Sequence, residues 1–306
     1  MNAGPISLPS PLLHGLDRHA ARLLQPGDGP VFDFGSPPGE AALVGPDSQS
    51  WRIFKNPVTV FIGGVAAVIL ELAEPAVRAG VWSHSSFKSD PLRRLQRTGL
   101  AAMVTVYGAA SGAQSMIGGV VRRHGHVTGT TEHGQPYRAN DTDLLNWVQA
   151  TAEWGFAEAY GRYVERLDDD ALQRLYREAL PAARLYGARD VPTDAAQMRA
   201  LFARMAPRLE ASPVILDFLQ IMRRAPILPA PLRAVQRLLV GAAVELVDAD
   251  LRARLGLDAR CGLNHWQRRV VRGIARSAER MLLPSSPAVQ SCLRLGLPAD
   301  HLYQPR

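Results

Sequence analysis

Lysine is almost missing from this chain of 306 residues: Lys55 and Lys88 are the only two, so 33 of the 35 basic side chains (35 − 2) are arginine. The net charge is +7, a balance that raises the question of a nucleic acid or an acidic membrane surface as partner. The arginines are scattered and often stand beside acids, as in YVERLDDDALQRLYRE. No clustered basic stripe is visible along the sequence, so nucleic acid is not an expected partner. Cysteine is scarce too. Cys261 and Cys292 lie far apart in no CxxC or CxxCH pattern. That spacing excludes a disulfide framework, a structural zinc site and covalent c-type haem attachment, and makes a reducing cytoplasm the expected compartment.

Several motifs are absent. There is no GxGxxG or GxxxxGK[ST] to cradle a nucleotide, no GxSxG nucleophile elbow (GAASG has the wrong spacing), and no HExxH. Nothing signals a Ser-His-Asp hydrolase. No repeat of fixed period appears, so a solenoid is not expected. The first residues lack a basic start followed by an apolar core, so no secretory signal is expected.

Neither of the two long apolar runs reads as a membrane span. The run from Val58 loses its uncharged character at Glu71, short of the roughly 20 residues a bilayer requires. The run from Gly99 to Val121 carries Gln114 and several Ser, Thr and Gly residues. Both read as buried core helices. A peripheral membrane protein, suggested by the charge and by the run from Val58, is a third and less favoured reading.

What remains is an all-α pattern: one multi-helix globular domain behind an irregular arm. A Pro/Gly-rich arm occupies residues 1–45, with one short helix near 16–24. The helical body runs from 46 to 290, and a tail covers 291–306. Helical periodicity predicts helices at 57–72, 91–124, 142–166, 169–180, 193–206, 212–222, 230–253 and 263–282. Asp90, Asp141, Thr193 and Ser212 read as N-caps, and Pro181, Pro226, Pro229 and Pro231 as separators.

Two stretches could carry chemistry. In DPLRRLQRTG, Arg94, Arg97 and Thr98 stand at i, i+3 and i+4, one helix face, continued by Ala101, Ala102 and Thr105. That face suits an anion or a bound oxygen species; a solvated helix start with surface arginines is the competing reading. In VVRRHGHVTGT, His124 and His126 are two apart. On a continuous helix they would point about 200° apart and could not ligate the same atom. One imidazole does not make a zinc site but suffices for haem. Histidines capping a helix C-terminus are the alternative.

The order of DPLRRLQRTG, a small-residue helix, VVRRHGHVTG and YRANDTDLLNWVQATAEWGFAEAY, with ELAEPAVRAGVWSHSSF upstream, resembles the DUF2236 family, which includes rubber oxygenase and an oxygenase of mycophenolic acid biosynthesis. The resemblance covers roughly residues 50 to 290. It implies an all-α domain enclosing haem b, and a haem-dependent oxygenase acting with dioxygen on an apolar or unsaturated substrate. It implies that His124 is the proximal iron ligand, the register being set by Val127 and Gly129, while His126 falls at a variable position. It places Arg94, Arg97 and Thr98 on the distal, catalytic side. Arg97 stands where the rubber-cleaving members are expected to carry lysine, which tells against close mimicry of rubber cleavage, as does the missing secretion signal. Glu71 and Glu74 are both candidates for a distal base. Tyr107, Met103, Met116 and Trp147 read equally as core or as pocket lining, and His84 as a loop or cap residue. A non-catalytic helical protein with a hydrophobic pocket is the alternative function. The sequence carries no oligomer signal.

Overall fold

The computed structural model describes residues 10–24, 31–84, 86, 87, 89–257 and 261–304. Among these the fold is all-α apart from one two-stranded hairpin.

α3 (Pro57–Ala73) is the axis of the molecule. Asn56 starts it: its Oδ1 accepts from Val58 and Thr59 N–H, and Pro57 fills the first helical position where a missing N–H costs nothing. Ten of its residues are buried. The helix ends because Pro75 follows Glu74; the chain turns by 108° into α4 (Pro75–His84). Among the described residues no single helix is long and apolar enough to cross a membrane.

α7 (Thr142–Tyr163) lies along α3. The two backbones come together at Gly63 and Gly155: a Cβ on Gly63 would stand 2.6 Å from the Gly155 carbonyl oxygen. α11 (Pro213–Arg224), α12 (Arg233–Leu246) and α14 (His265–Ala278) complete the jacket around α3. Trp147 is fully buried on α7 and packs on Phe202, ring centroids 5.1 Å apart, so it is a core residue.

The first segment, α1 (Ser10–Leu24), begins earlier than the expected short helix. Residues 31–48 form turns and bends that Arg294 pins down. This arginine, 3% exposed, donates to the carbonyls of Glu40 (2.9 Å), Phe34 (2.8 Å) and Tyr107 (2.8 Å). It ends α15 (Pro287–Arg294).

Several expectations need correction. The helix expected over 91–124 is two helices, α5 (Pro91–Tyr107) and α6 (Ala110–His124). The arm crosses at the break: Ala110 N–H donates to the Ala41 carbonyl at 2.9 Å and not to the preceding turn, and Gly108 leaves room for the Phe32 ring, which a Cβ there would meet at 2.9 Å. The helix expected over 230–253 also divides, into α12 and α13 (Ala249–Arg254), because Asp248 caps a new start by accepting from Asp250 N–H. Pro181 marks the boundary between two helices, but from within the second of them. It sits in the first turn of α9 (Leu180–Tyr186), directly after α8 (Asp169–Glu178), where proline is tolerated. Asp194, not Thr193, caps α10 (Ala195–Met205) by accepting from Gln197 N–H at 2.8 Å. Asp141 precedes α7, yet its carboxylate accepts from Arg138 N–H instead. Asp90 and Ser212 cap as expected. The short α2 (Gln49–Phe54) was not expected; Ser48 caps it, and Glu178 accepts from the N–H groups of Gln49 and Ser50. Nor was the hairpin of β1 (Thr128–Thr130) and β2 (Pro136–Arg138), paired antiparallel with Thr128 opposite Arg138.

Candidate active site

The break at Gly108 folds α6 back against α5, and that return brings the two sequence motifs together. Arg94 sits one turn into α5 and is half-buried. Burial lowers its pKa, Glu71 acts against that, and Arg97 adds to it. Its Nε is buried with no hydrogen-bond partner. Arg97 and Thr98 are exposed. The Thr98 hydroxyl donates to the Arg94 carbonyl at 2.9 Å, the back-bond a helical threonine makes to its own preceding turn. The face expected from spacing is therefore uneven: Arg94 turns inward, while Arg97 and Thr98 stay at the rim.

His124 is the last residue of α6 and half-buried; His126 lies beyond the helix end and is exposed. The helix stops between them, so the chain itself separates their directions. Burial, then the positive charges of Arg94 and Arg123, lower the pKa of His124. Its imidazole is thus neutral at ordinary pH, the form that ligates a metal. Its Nδ1 is buried and unpartnered. Asn140, from YRANDTD, donates to the Val121 carbonyl at 3.2 Å and so braces the last turn of α6; its own Oδ1 is buried and unpartnered. Gly129 has a steric role. A Cβ there would stand 2.8 Å from the Tyr137 hydroxyl, so the hairpin that follows His124 closes only over glycine.

The structure also separates the two carboxylates. Glu74 is 2% exposed and spent on the fold: it accepts from Val77 N–H at 2.8 Å, capping α4, and pairs with Arg208 at 2.6 Å. Glu71 faces the site. Burial pushes its carboxyl up from the ordinary 4.5 to about 7, against the opposing pull of the Thr151 hydroxyl (3.4 Å) and of Arg94. Glu71, Arg94 and His124 are therefore linked electrostatically through Arg94, and each holds a polar group that its surroundings leave under-satisfied or uncharged. Tyr107 belongs elsewhere, buried with its hydroxyl donating to the Trp51 carbonyl at 2.6 Å. Met103 is buried, Met116 half-buried, and His84 is exposed at the end of α4.

A stability measurement checks the state of Glu71. A raised carboxyl pKa means that the folded chain holds the proton more tightly than the unfolded one. The favourable contribution is complete below pH 4.5 and is lost as the pH rises to about 7. Glu71→Gln removes this dependence. Relative to the parent, the variant gains on the order of 2 kcal/mol of stability between about pH 5 and about pH 8. An equal effect at both pH values in denaturant titrations would show that Glu71 ionises normally.

Two surface clefts are distinct from this site. The larger, about 480 Å³, is lined by Trp82, Pro91, Asp217, Gln220, Ile221 and Arg224; the other, about 250 Å³, lies against α1. Neither is lined by Arg94 or His124, so neither is the enclosed haem pocket that the resemblance implies. Glu132, His133 and Glu210 bring three potential metal-ligand atoms within 4.8 Å of one another. There Arg78 bonds both carboxylates, so the protein already supplies their cation.

The comparison with protein families decides the relationship. The model for "ER-bound oxygenase mpaB/B'/Rubber oxygenase, catalytic domain" matches residues 51–280. The chain belongs to this family. The match takes in 230 of the 306 residues, α3, both motif helices and α7 among them. No curated protein and no solved structure matches the chain. Membership in the mpaB/rubber-oxygenase family makes the chain an oxygenase catalytic domain and agrees with the all-α architecture expected from the sequence. Glu71 and Asn140 are the residues that the sequence left undecided or unremarked. Their signals were a carboxylate ending an apolar run and an asparagine beside a helix cap, neither diagnostic without packing.

Proposed function

We propose that this chain is a cytoplasmic haem-b-dependent oxygenase acting with dioxygen on an apolar or unsaturated substrate. The observation that carries the reading is the meeting of a neutral, half-buried His124 having an unpartnered Nδ1 with Arg94 and with Glu71, whose carboxyl is pushed up to about 7. Haem would supply the iron that activates dioxygen, with His124 holding it. Arg94 supplies a fixed positive charge whose Nε has no partner in the protein, suited to an anionic oxygen atom or a propionate. Arg97, at the exposed rim, adds a second planar cation. Thr98 keeps its hydroxyl oxygen available as an acceptor while its proton is held by the Arg94 carbonyl. Glu71, titrating near neutrality, holds a proton at its carboxyl and releases it within the working pH range. Gly118 and Gly119 leave one side of α6 open, crossed only by the Arg122 and Arg123 guanidinium groups, so a flat ligand can come close to that helix.

Titration of the purified chain with haem tests the proposal. The expected result is a sharp Soret band that saturates at one haem per chain. A chain that gives no such band, yet gains thermal stability from apolar ligands, would instead be a helical binding protein.

A further inference from the structure

The scattered arginines of the sequence are brought into order at one place on the folded surface. α14 reads HWQRRVVRGIARSA and contains four arginines and no acid. At 100° per residue, Val271, Ala275 and Ala278 face the core, where they are buried. His265, Trp266, Arg269, Arg272 and Arg276 occupy roughly the opposite half of the circumference, and all are exposed. Trp266 is 69% exposed, the equal of Val31 as the most exposed large apolar side chain in the described residues.

Partners for this face within the chain are few. Arg268, at its edge, is committed to Glu245 at 2.8 Å. Arg276 makes one long contact, 3.4 Å, to the Val164 carbonyl. Glu279, the nearest acid in sequence, turns inward to Lys55, Tyr160 and Asn56. Gln267, the one amide on the helix, is spent in the capping box with Asn264. Arg269 and Arg272 therefore present charge to solvent next to an indole that is largely exposed.

We propose that this face of α14 docks the protein on an anionic phospholipid surface. The helix lies flat on the body, so its outer stripe meets a plane along about 15 Å, the rise of ten residues. Guanidinium groups match lipid phosphates and carboxylates, and an indole prefers the headgroup level of a bilayer. A nucleic acid fits less well, because the charge lies along one helix with a single exposed indole and no second exposed Phe, Tyr or Trp for bases to stack on among the described residues. The proposal moves any membrane contact away from α3, whose apolar run is consumed by the core, to a helix of low overall hydrophobicity. It stands independently of haem binding, although an apolar substrate would be concentrated at such a surface.

Co-sedimentation of the full chain with phosphatidylcholine vesicles, with and without phosphatidylserine, tests it at physiological salt. The expected result is binding only to the phosphatidylserine vesicles, with a blue shift of tryptophan emission that Trp266→Ala removes. The triple variant R269E/R272E/R276E, with unchanged circular dichroism and thermal unfolding, weakens binding by at least about tenfold. Three outcomes would overturn the proposal: no binding to the charged vesicles, equal binding by the triple variant, or charge-dependent binding of a DNA or RNA oligomer where vesicles are ignored. Haem titration of the same triple variant gives the Soret result of the parent in every case, which keeps this test separate from that of the active site.

Discussion

Gly63→Ala lowers the stability of the folded chain by on the order of 3 kcal/mol, although alanine is the better helix former. Helix propensity alone predicts the opposite sign, a gain of up to about 1 kcal/mol. The packing argument wins because the atom a new Cβ meets is main chain: the Gly155 carbonyl oxygen at 2.6 Å and the Phe156 Cα at 2.9 Å. A flexible side chain could swing away; the backbone of a helix sheathed on its other sides cannot. Relief would mean pushing α7 off α3, which opens voids beside the buried residues of both helices. Gly64→Ala is the internal control. Its added methyl would touch only the Phe156 ring, at 3.9 Å, so this neighbour of Gly63 should be neutral or slightly stabilising. Denaturant midpoints of the two variants check the pair. Equal and small effects would mean that the helices are not in contact here.

The second large effect falls on the active site. His124→Ala should abolish the sharp Soret band on haem addition and weaken haem binding by about a hundredfold or more, since loss of the outer partners of a metal ligand alone costs roughly 10–100-fold. His126→Ala should behave as the parent, because His126 lies beyond the end of α6 and is exposed. Added imidazole should restore the band in the His124 variant, the signature of a missing ligand and not of a damaged fold. A His124→Ala protein that still takes up haem stoichiometrically, or a His126→Ala protein that does not, would remove His124 from the role of ligand.

The fold class was legible in the sequence because apolar periodicity, caps and prolines act locally, and most of the long helices follow from them. Missed elements owe their existence to distant partners. α2 is only six residues and depends on Glu178, far along the chain, for its N-terminal hydrogen bonds. At the break between α5 and α6 the arm crosses beside Gly108, which no local pattern announces. For the site, spacing selects Arg94, Arg97 and Thr98 as one face but cannot say how deep each sits. Depth is set by packing against other elements, and it distinguishes the half-buried Arg94 from its two exposed companions. The end of α3 settles Glu71 against Glu74: three residues apart on an apolar helix, they look alike until Pro75 turns the chain and makes Glu74 the cap of α4.

Arg78 ties together what the chain keeps apart. Its guanidinium donates to the Leu72 carbonyl at 3.0 Å, one residue past Glu71, and bonds Glu132 in the turn of the hairpin, eight residues past His124. The end of α3 and the hairpin that follows α6 thus share one buried side chain as a partner. The third helix of the site, α5, holds no member of that ion-pair group among the described residues. Two of the three sides that carry Glu71, Arg94 and His124 are therefore joined by an ion pair that contributes no group to the site itself.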